Sequence, residues 1–106
     1  GRRSDMIKAG AHRIHPQDIE EVIAEMPGVQ EAAVVGVEDE MLGQAIKAFV
    51  VTADPTGVTP MRVQAHCRER LASYKVPKSV EIVASLPRTS SGKICRAALI
   101  ERIPRE

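Results

Sequence analysis

Val29-Gln30-Glu31-Ala32-Ala33-Val34-Val35-Gly36-Val37 and Ala45-Ile46-Lys47-Ala48-Phe49-Val50-Val51-Thr52 are two runs rich in β-branched residues. Valine and isoleucine fit a pleated, half-buried surface. Val35 and Val37 alternate with the smaller Val34 and Gly36, which predicts a strand packed on at least one face. The link between the runs, Glu38-Asp39-Glu40-Met41-Leu42-Gly43-Gln44, is acidic and carries a turn glycine. The two runs are therefore expected to lie side by side in a small sheet.

Helical patterns flank them. Pro16 stands at a first helical position, where a missing N–H costs nothing. Ile19, Val22, Ile23 and Met26 follow at i, i+3, i+4 and i+7 as one buried stripe, which assigns Glu20, Glu21 and Glu25 to water. Asp18 suits the positive end of the helix dipole, and Pro27-Gly28 stops the helix. Upstream, residues 1–13 are polar with two apolar spots, Met6-Ile7 and Ile14. They predict a linker running into a short β-hairpin that turns near Ala9-Gly10. Downstream, Asp54-Pro55-Thr56-Gly57 is a turn, and Thr59-Pro60 opens a second helix as N-cap and first helical residue. Val63, Cys67 and Leu71 form its inward stripe, with Arg68-Glu69-Arg70 mostly wet. Lys75-Val76-Pro77 leads into a strand at residues 79–83, and a last helix turns Ala98, Leu99 and Ile103 inward. The order hairpin, α, β, β, α, β, loop, α defines an α+β fold: a small, mostly antiparallel sheet of about three strands, covered by helices and preceded by a short β-hairpin.

At 106 residues, 43% apolar and 27% charged, the chain has the size and balance of one soluble domain. One Phe, one Tyr and no Trp leave nothing to stack on bases, and a net charge of +1 provides no field for nucleic acid or a membrane surface. Cys67 and Cys95 lack Cys-x-x-Cys spacing and read as reduced thiols of a cytoplasmic protein. His66 beside Cys67 has no second ligand pair at finger spacing, so no metal site is expected. No apolar run approaches the ~20 residues of a membrane span. Gly1-Arg2-Arg3 in place of an initiator Met is expected of a segment of a longer chain.

Leu86-Pro87-Arg88-Thr89-Ser90-Ser91-Gly92-Lys93-Ile94-Cys95-Arg96 has the composition of an exposed loop, because hydroxyl residues and glycine favour turns. Such a loop holds Lys93 free to reach an anion. Taken alone, it fits a merely solvated lysine equally well. It is not a P-loop, which needs glycine where Pro87 stands and Ser or Thr where Ile94 stands.

Gly1-Arg2-x-x-Asp5-x-Ile7-Lys8-x-Gly10-x-x-Arg13-Ile14-x-Pro16-x-Asp18-Ile19-Glu20 resembles the hinge motif that opens the C-terminal domain of the adenylate-forming enzymes. This superfamily comprises acyl-CoA synthetases, adenylation domains of peptide synthetases, and beetle luciferases. Pro27-Gly28-Val29-x-x-Ala32-Ala33-Val34-Val35-Gly36-Val37 and Tyr74-Lys75-Val76-Pro77-Lys78 resemble the middle of the same domain. Leu86-Pro87-Arg88-Thr89-x-Ser91-Gly92-Lys93-Ile94-x-Arg96 is similar to its catalytic-lysine motif. Essentially the whole chain is covered. Ser91-Gly92-Lys93-Ile94 looks closer to acyl- or aryl-CoA synthetases than to peptide synthetases, which more often carry Asn-Gly-Lys.

The resemblance implies that residues 1–106 are the single mobile C-terminal domain of an AMP-forming acid–thiol ligase, with the hinge in residues 1–8. The partner is an N-terminal domain that holds the phosphate loop and acyl pocket, so this domain alone should adenylate nothing. The substrates would be ATP, with Mg2+, a carboxylic acid and coenzyme A. Lys93 matches the lysine of adenylation and also the lysine whose acetylation switches off bacterial acyl-CoA synthetases. Lys8 matches the lysine of the thioester step, on the opposite face of the swivelling domain. Arg2 matches the arginine at the ATP ribose and phosphates, and Arg3, Ser4 and Asp5 the hinge. Gly10, Ala11 and Arg13 match positions that line or meet coenzyme A. For Lys8 an exposed strand lysine, and for Arg13 a surface charge, are the competing readings. His12 and His15 are read as surface or turn residues and Tyr74 as packing.

Two positions depart from the pattern. Ser4 occupies the pivot, where Asp or Lys is usual, and Ala11 replaces a glycine beside the pantetheine channel. Two rivals are a stand-alone regulatory or partner-binding domain derived from the family and a peptide-synthetase adenylation subdomain. A β-α-β-β-α-β nucleic-acid module is a third, but it would need paired aromatics on central strands.

Overall fold

Proline at the first helical position, read from the sequence, does set both long helices. In the computed structural model, which describes residues 6–101, α1 (Pro16–Ala24) and α2 (Pro60–Arg70) each begin on that proline. The Thr59 hydroxyl caps α2, accepting from the Arg62 N–H at 3.2 Å. A short α3 (Arg96–Glu101) ends the described chain.

The sheet is larger than expected. β3 (Val29–Asp39) and β4 (Gly43–Thr52) pair antiparallel from Val29↔Thr52 to Asp39↔Gly43, with one irregularity between Val29 and Glu31. Both strands run two residues further into the acidic link than expected. There the Asp39 carboxylate accepts the N–H groups of Met41 and Leu42, at 3.2 and 2.9 Å, and closes the turn. β5 (Ser79–Val83) lies parallel to β4, with α2 in the connection that parallel pairing requires. The hairpin of β1 (Ile7–Ala9) and β2 (His12–Ile14) is not a separate preface: Ala9 pairs with Gly43, so the hairpin joins the sheet. Among the described residues the result is one five-stranded, mostly antiparallel sheet in an α+β fold, in the order β2-β1-β4-β3 with β5 also on β4.

Both faces of the sheet are covered. α1 and α2 pack Ile19, Ile23, Val63 and Cys67 against Ile7, Ile14, Val34, Ile46, Ala48 and Val50. On the opposite face Ala33, Val35, Phe49 and Val51 meet Leu86, Ile94 and Leu99. Two-sided burial is why these strands read as nearly continuous apolar runs.

Three assignments made from the sequence need correction. Glu20 does not face water: its side chain is only 15% exposed, and it reaches the outer edge of β3. Its Oε2 accepts the Val34 N–H at 2.8 Å and Arg96 Nη2 at 2.7 Å, while Arg96 Nε donates to the Val34 carbonyl at 3.3 Å. The Glu20–Arg96 pair thus clasps both backbone groups of Val34 and joins α1 to α3 around that edge. Leu71 is half-buried at the end of its stripe. Tyr74 is exposed and stacks on the His12 ring, with centroids 3.7 Å apart and planes within 9°. Ile103 lies outside the described residues.

Cys67 is fully buried, as its place in the α2 stripe required, and burial pushes its thiol up to about 11. A raised value means that the neutral thiol favours the fold below the ordinary 9.0, and that this contribution fades as pH climbs toward 11. The thiolate is the reactive form. A disulfide reagent at pH 8 should therefore modify Cys95, which is half-buried, and reach Cys67 only after denaturant is added. Equal rates for both thiols in the native protein would contradict this packing.

Candidate functional site

The segment that carries Lys93 is a small hairpin. An antiparallel bridge joins Arg88 to Ile94, the Thr89 N–H donates to the Lys93 carbonyl at 2.7 Å, and the Gly92 N–H donates to the Thr89 carbonyl at 2.9 Å. The Cys95 N–H closes on the Pro87 carbonyl at 2.8 Å. This is the three-residue loop, Ser90-Ser91-Gly92, in which a turn is followed by one left-handed residue. Gly92 supplies that residue with φ +87°, and no atom lies within 4 Å of where its Cβ would stand. Glycine is needed here for the backbone and not for room. Leu86 and Ile94 root the hairpin in the core, and Lys93 is exposed at its tip.

Lys8 sits on a second hairpin. Gly10 turns it with φ +62° and donates its N–H to the Leu42 carbonyl at 2.8 Å. The Lys8 N–H donates to Gln44 Oε1 at 2.7 Å. Gly36 makes this docking possible, since a Cβ there would lie 2.9 Å from the Gln44 amide and 3.1 Å from Ile7. Lys8 and Arg13 face each other across one rung and both are exposed, a paired cationic feature suited to an anion. Beside it a cavity of about 550 Å³, lined by Ala9, Leu42, Ile46, Leu71 and Tyr74, carries Arg68 and Lys78. The Leu42 N–H and then the Lys78 side chain hold the Asp39 carboxyl below its ordinary range.

The two lysine hairpins lie toward opposite ends of β3. Arg88 pairs with Glu31 near the start of that strand, whereas Gln44, the partner of Lys8, is paired with Glu38 near its end. Seven residues of strand correspond to roughly 20 Å or more. Gly10 and Ala11 form the exposed turn beside Lys8. The hinge residues Arg3, Ser4 and Asp5, and Arg2 with them, lie outside the described residues. Sequence reasoning did not single out Arg88, Glu31 or Gln44. For Arg88 the signal was present, a lone cation inside a run of turn formers; for the other two it lay in pairings distant along the chain.

With that geometry in hand, the chain can be placed by comparison. Residues 18–93 match the AMP-binding enzyme C-terminal domain, and the chain belongs to that family. It is 45% identical over 98 residues to a long-chain-fatty-acid–CoA ligase of Yersinia pestis, covering 92% of this chain and 17% of that protein. It is 45% identical over 101 residues to a 2-succinylbenzoate–CoA ligase of Listeria monocytogenes, covering 95% and 21%. Among solved structures, the Mycobacterium tuberculosis fatty acyl CoA synthetase superposes with a TM-score of 0.90 at 40% identity, over 95% of this chain and 20% of the other. The chain thus spans about a fifth of the length of the curated relatives it matches. Among the described residues no helix is long and apolar enough to cross a membrane.

Proposed function

We propose that this domain is the moving part of an AMP-forming acid–CoA ligase. In the first reaction a carboxylate attacks the α-phosphorus of ATP, giving an acyl-adenylate and pyrophosphate. In the second the coenzyme A thiol attacks the acyl carbon, giving a thioester, AMP and a proton. The observation that carries this reading is the pair of exposed lysine hairpins toward the two ends of one continuous sheet. Turning about the residues ahead of β1 would bring Lys93 to the adenylation centre and then withdraw it in favour of the face bearing Lys8, Gly10, Ala11 and Arg13. Arg2 would meet the nucleotide beside the hinge formed by Arg3, Ser4 and Asp5. The acid and most of the ATP site would belong to an N-terminal domain in the cytoplasm. Mg2+ is expected to accompany ATP; among the described residues no group of three or more His, Cys, Asp or Glu is placed to ligate a metal. The roles available here are those of the cations.

The two curated relatives are named for different acids at the same identity, a fatty acid and an aryl dicarboxylate. In this reading acid choice rests with the N-terminal domain. The whole protein, given ATP, coenzyme A and a panel of carboxylic acids, should release AMP and pyrophosphate in step with thioester. Release of ADP and phosphate instead would defeat the proposal, because the acid would then be activated as an acyl phosphate.

A further inference from the structure

The direction in which Lys93 leaves the hairpin is fixed by the backbone on both sides of its Cα, and each polar group there has a partner. The Gly92 carbonyl accepts from Arg88 Nη1 at 3.0 Å. The Lys93 N–H donates to Thr89 Oγ1 at 3.3 Å, and the Lys93 carbonyl accepts from the Thr89 N–H at 2.7 Å. The peptide plane between Gly92 and Lys93 is thereby gripped at both ends. Arg88 is itself held, because its Nη2 pairs with the Glu31 carboxylate on β3. β3 is packed on both faces and offers a fixed reference.

Building on the assignment of Lys93 to adenylation, we propose that Arg88 and Glu31 are positioning residues for that lysine. The guanidinium carries the geometry of β3 to the peptide that precedes Lys93. A planar fork suits this because it serves a carboxylate and a carbonyl from different nitrogens at once; an ammonium on a flexible stem holds such a geometry poorly. Both side chains are substantially exposed, 43% and 37%, so their pairing adds little to the stability of the fold. Loosening Arg88 therefore leaves the domain folded and lets the Lys93 ammonium wander from the place where transition-state charge develops. Small misplacements of a catalytic group are costly in rate. Lys93 acts on the transition state, so the loss falls on kcat and not on KM.

The test is made in the whole enzyme with the two half-reactions measured separately. Arg88→Ala should lower kcat for acyl-adenylate formation by about tenfold, with KM for ATP and for the acid changed by no more than about twofold. Thioester formation from supplied acyl-adenylate should be unaffected. Arg88→Lys and Glu31→Gln, which each keep part of the link, should lose about threefold, with thermal midpoints unchanged. Unaltered kcat in both Arg88→Ala and Glu31→Gln would overturn the proposal. So would a rise in KM for ATP alone, which would mean that Arg88 touches the nucleotide, or equal losses in the two half-reactions. Lys93→Ala run in parallel separates the two levels. If that variant still adenylates, the assignment of Lys93 fails; if it does not, while Arg88→Ala adenylates normally, only the positioning role fails.

Discussion

Lys93→Ala in the whole enzyme is expected to reduce acyl-adenylate formation by about 10²–10³-fold, and to leave thioester formation from supplied acyl-adenylate within about twofold. Pyrophosphate exchange reports the first half-reaction and coenzyme A consumption the second. A cation ~4 Å from a forming oxyanion is worth about 4 kcal/mol at an effective dielectric of about 20, or roughly three decades of rate. The geometry supports a loss near that scale. Lys93 is exposed on a hydrogen-bonded hairpin, and among the described residues no carboxylate pairs with it, so its charge is not spent within the domain. Acetylation of the same amine removes that charge and should reproduce the alanine pattern. Equal losses in both assays would instead indicate disturbed docking of the domain.

Glu20→Ala should cost about 3 kcal/mol of folding stability, near the lower end of what breaking a buried ion pair costs. Both partners are largely shielded, at 15% and 20% exposure, and both Glu20 oxygens accept from Arg96 Nη2 at 2.8 and 2.7 Å. Removing the carboxylate takes that partner from Arg96 and leaves the Val34 N–H without its acceptor, 2.8 Å away in the native protein. For a domain of this size the change corresponds to a fall in thermal midpoint of roughly 12–20 °C. Glu21→Ala, one position on and exposed, serves as the control and should stay within about 0.5 kcal/mol of the parent. If the two variants melt together, water screens the Glu20–Arg96 contact far more than its burial implies.

The helix starts were legible because a proline fixes its own φ and lacks an N–H, a property confined to one residue and independent of anything distant. The core stripes followed for the same kind of reason, from periodicity within α1 and α2. Glu20 was misassigned because periodicity reports which side of a helix meets the body of the domain, not whether a polar neighbour bridges to something else. Its partner Arg96 stands 76 positions later. The parallel β5 and the docking of the first hairpin were hidden likewise, since both depend on what lies beside β4 in space. Tyr74 was read as packing; its partner is the His12 ring, which stands 62 positions earlier. The turn chemistry around Lys93 was plain from Thr89, Ser91 and Gly92. The Arg88 contact with Glu31, which links that turn to the sheet, was not.

β3 ends the strand order, and among the described residues its flank beyond the β4 ladder meets no other strand. A bare flank of that kind is an invitation to a strand from any passing chain, and natural sheets defend against it with charge or by covering it. At Val34 the N–H and the carbonyl are both occupied by charged side chains, so a foreign backbone finds neither available there. The clasp between α1 and α3 thus guards this edge at Val34 against pairing with a further strand.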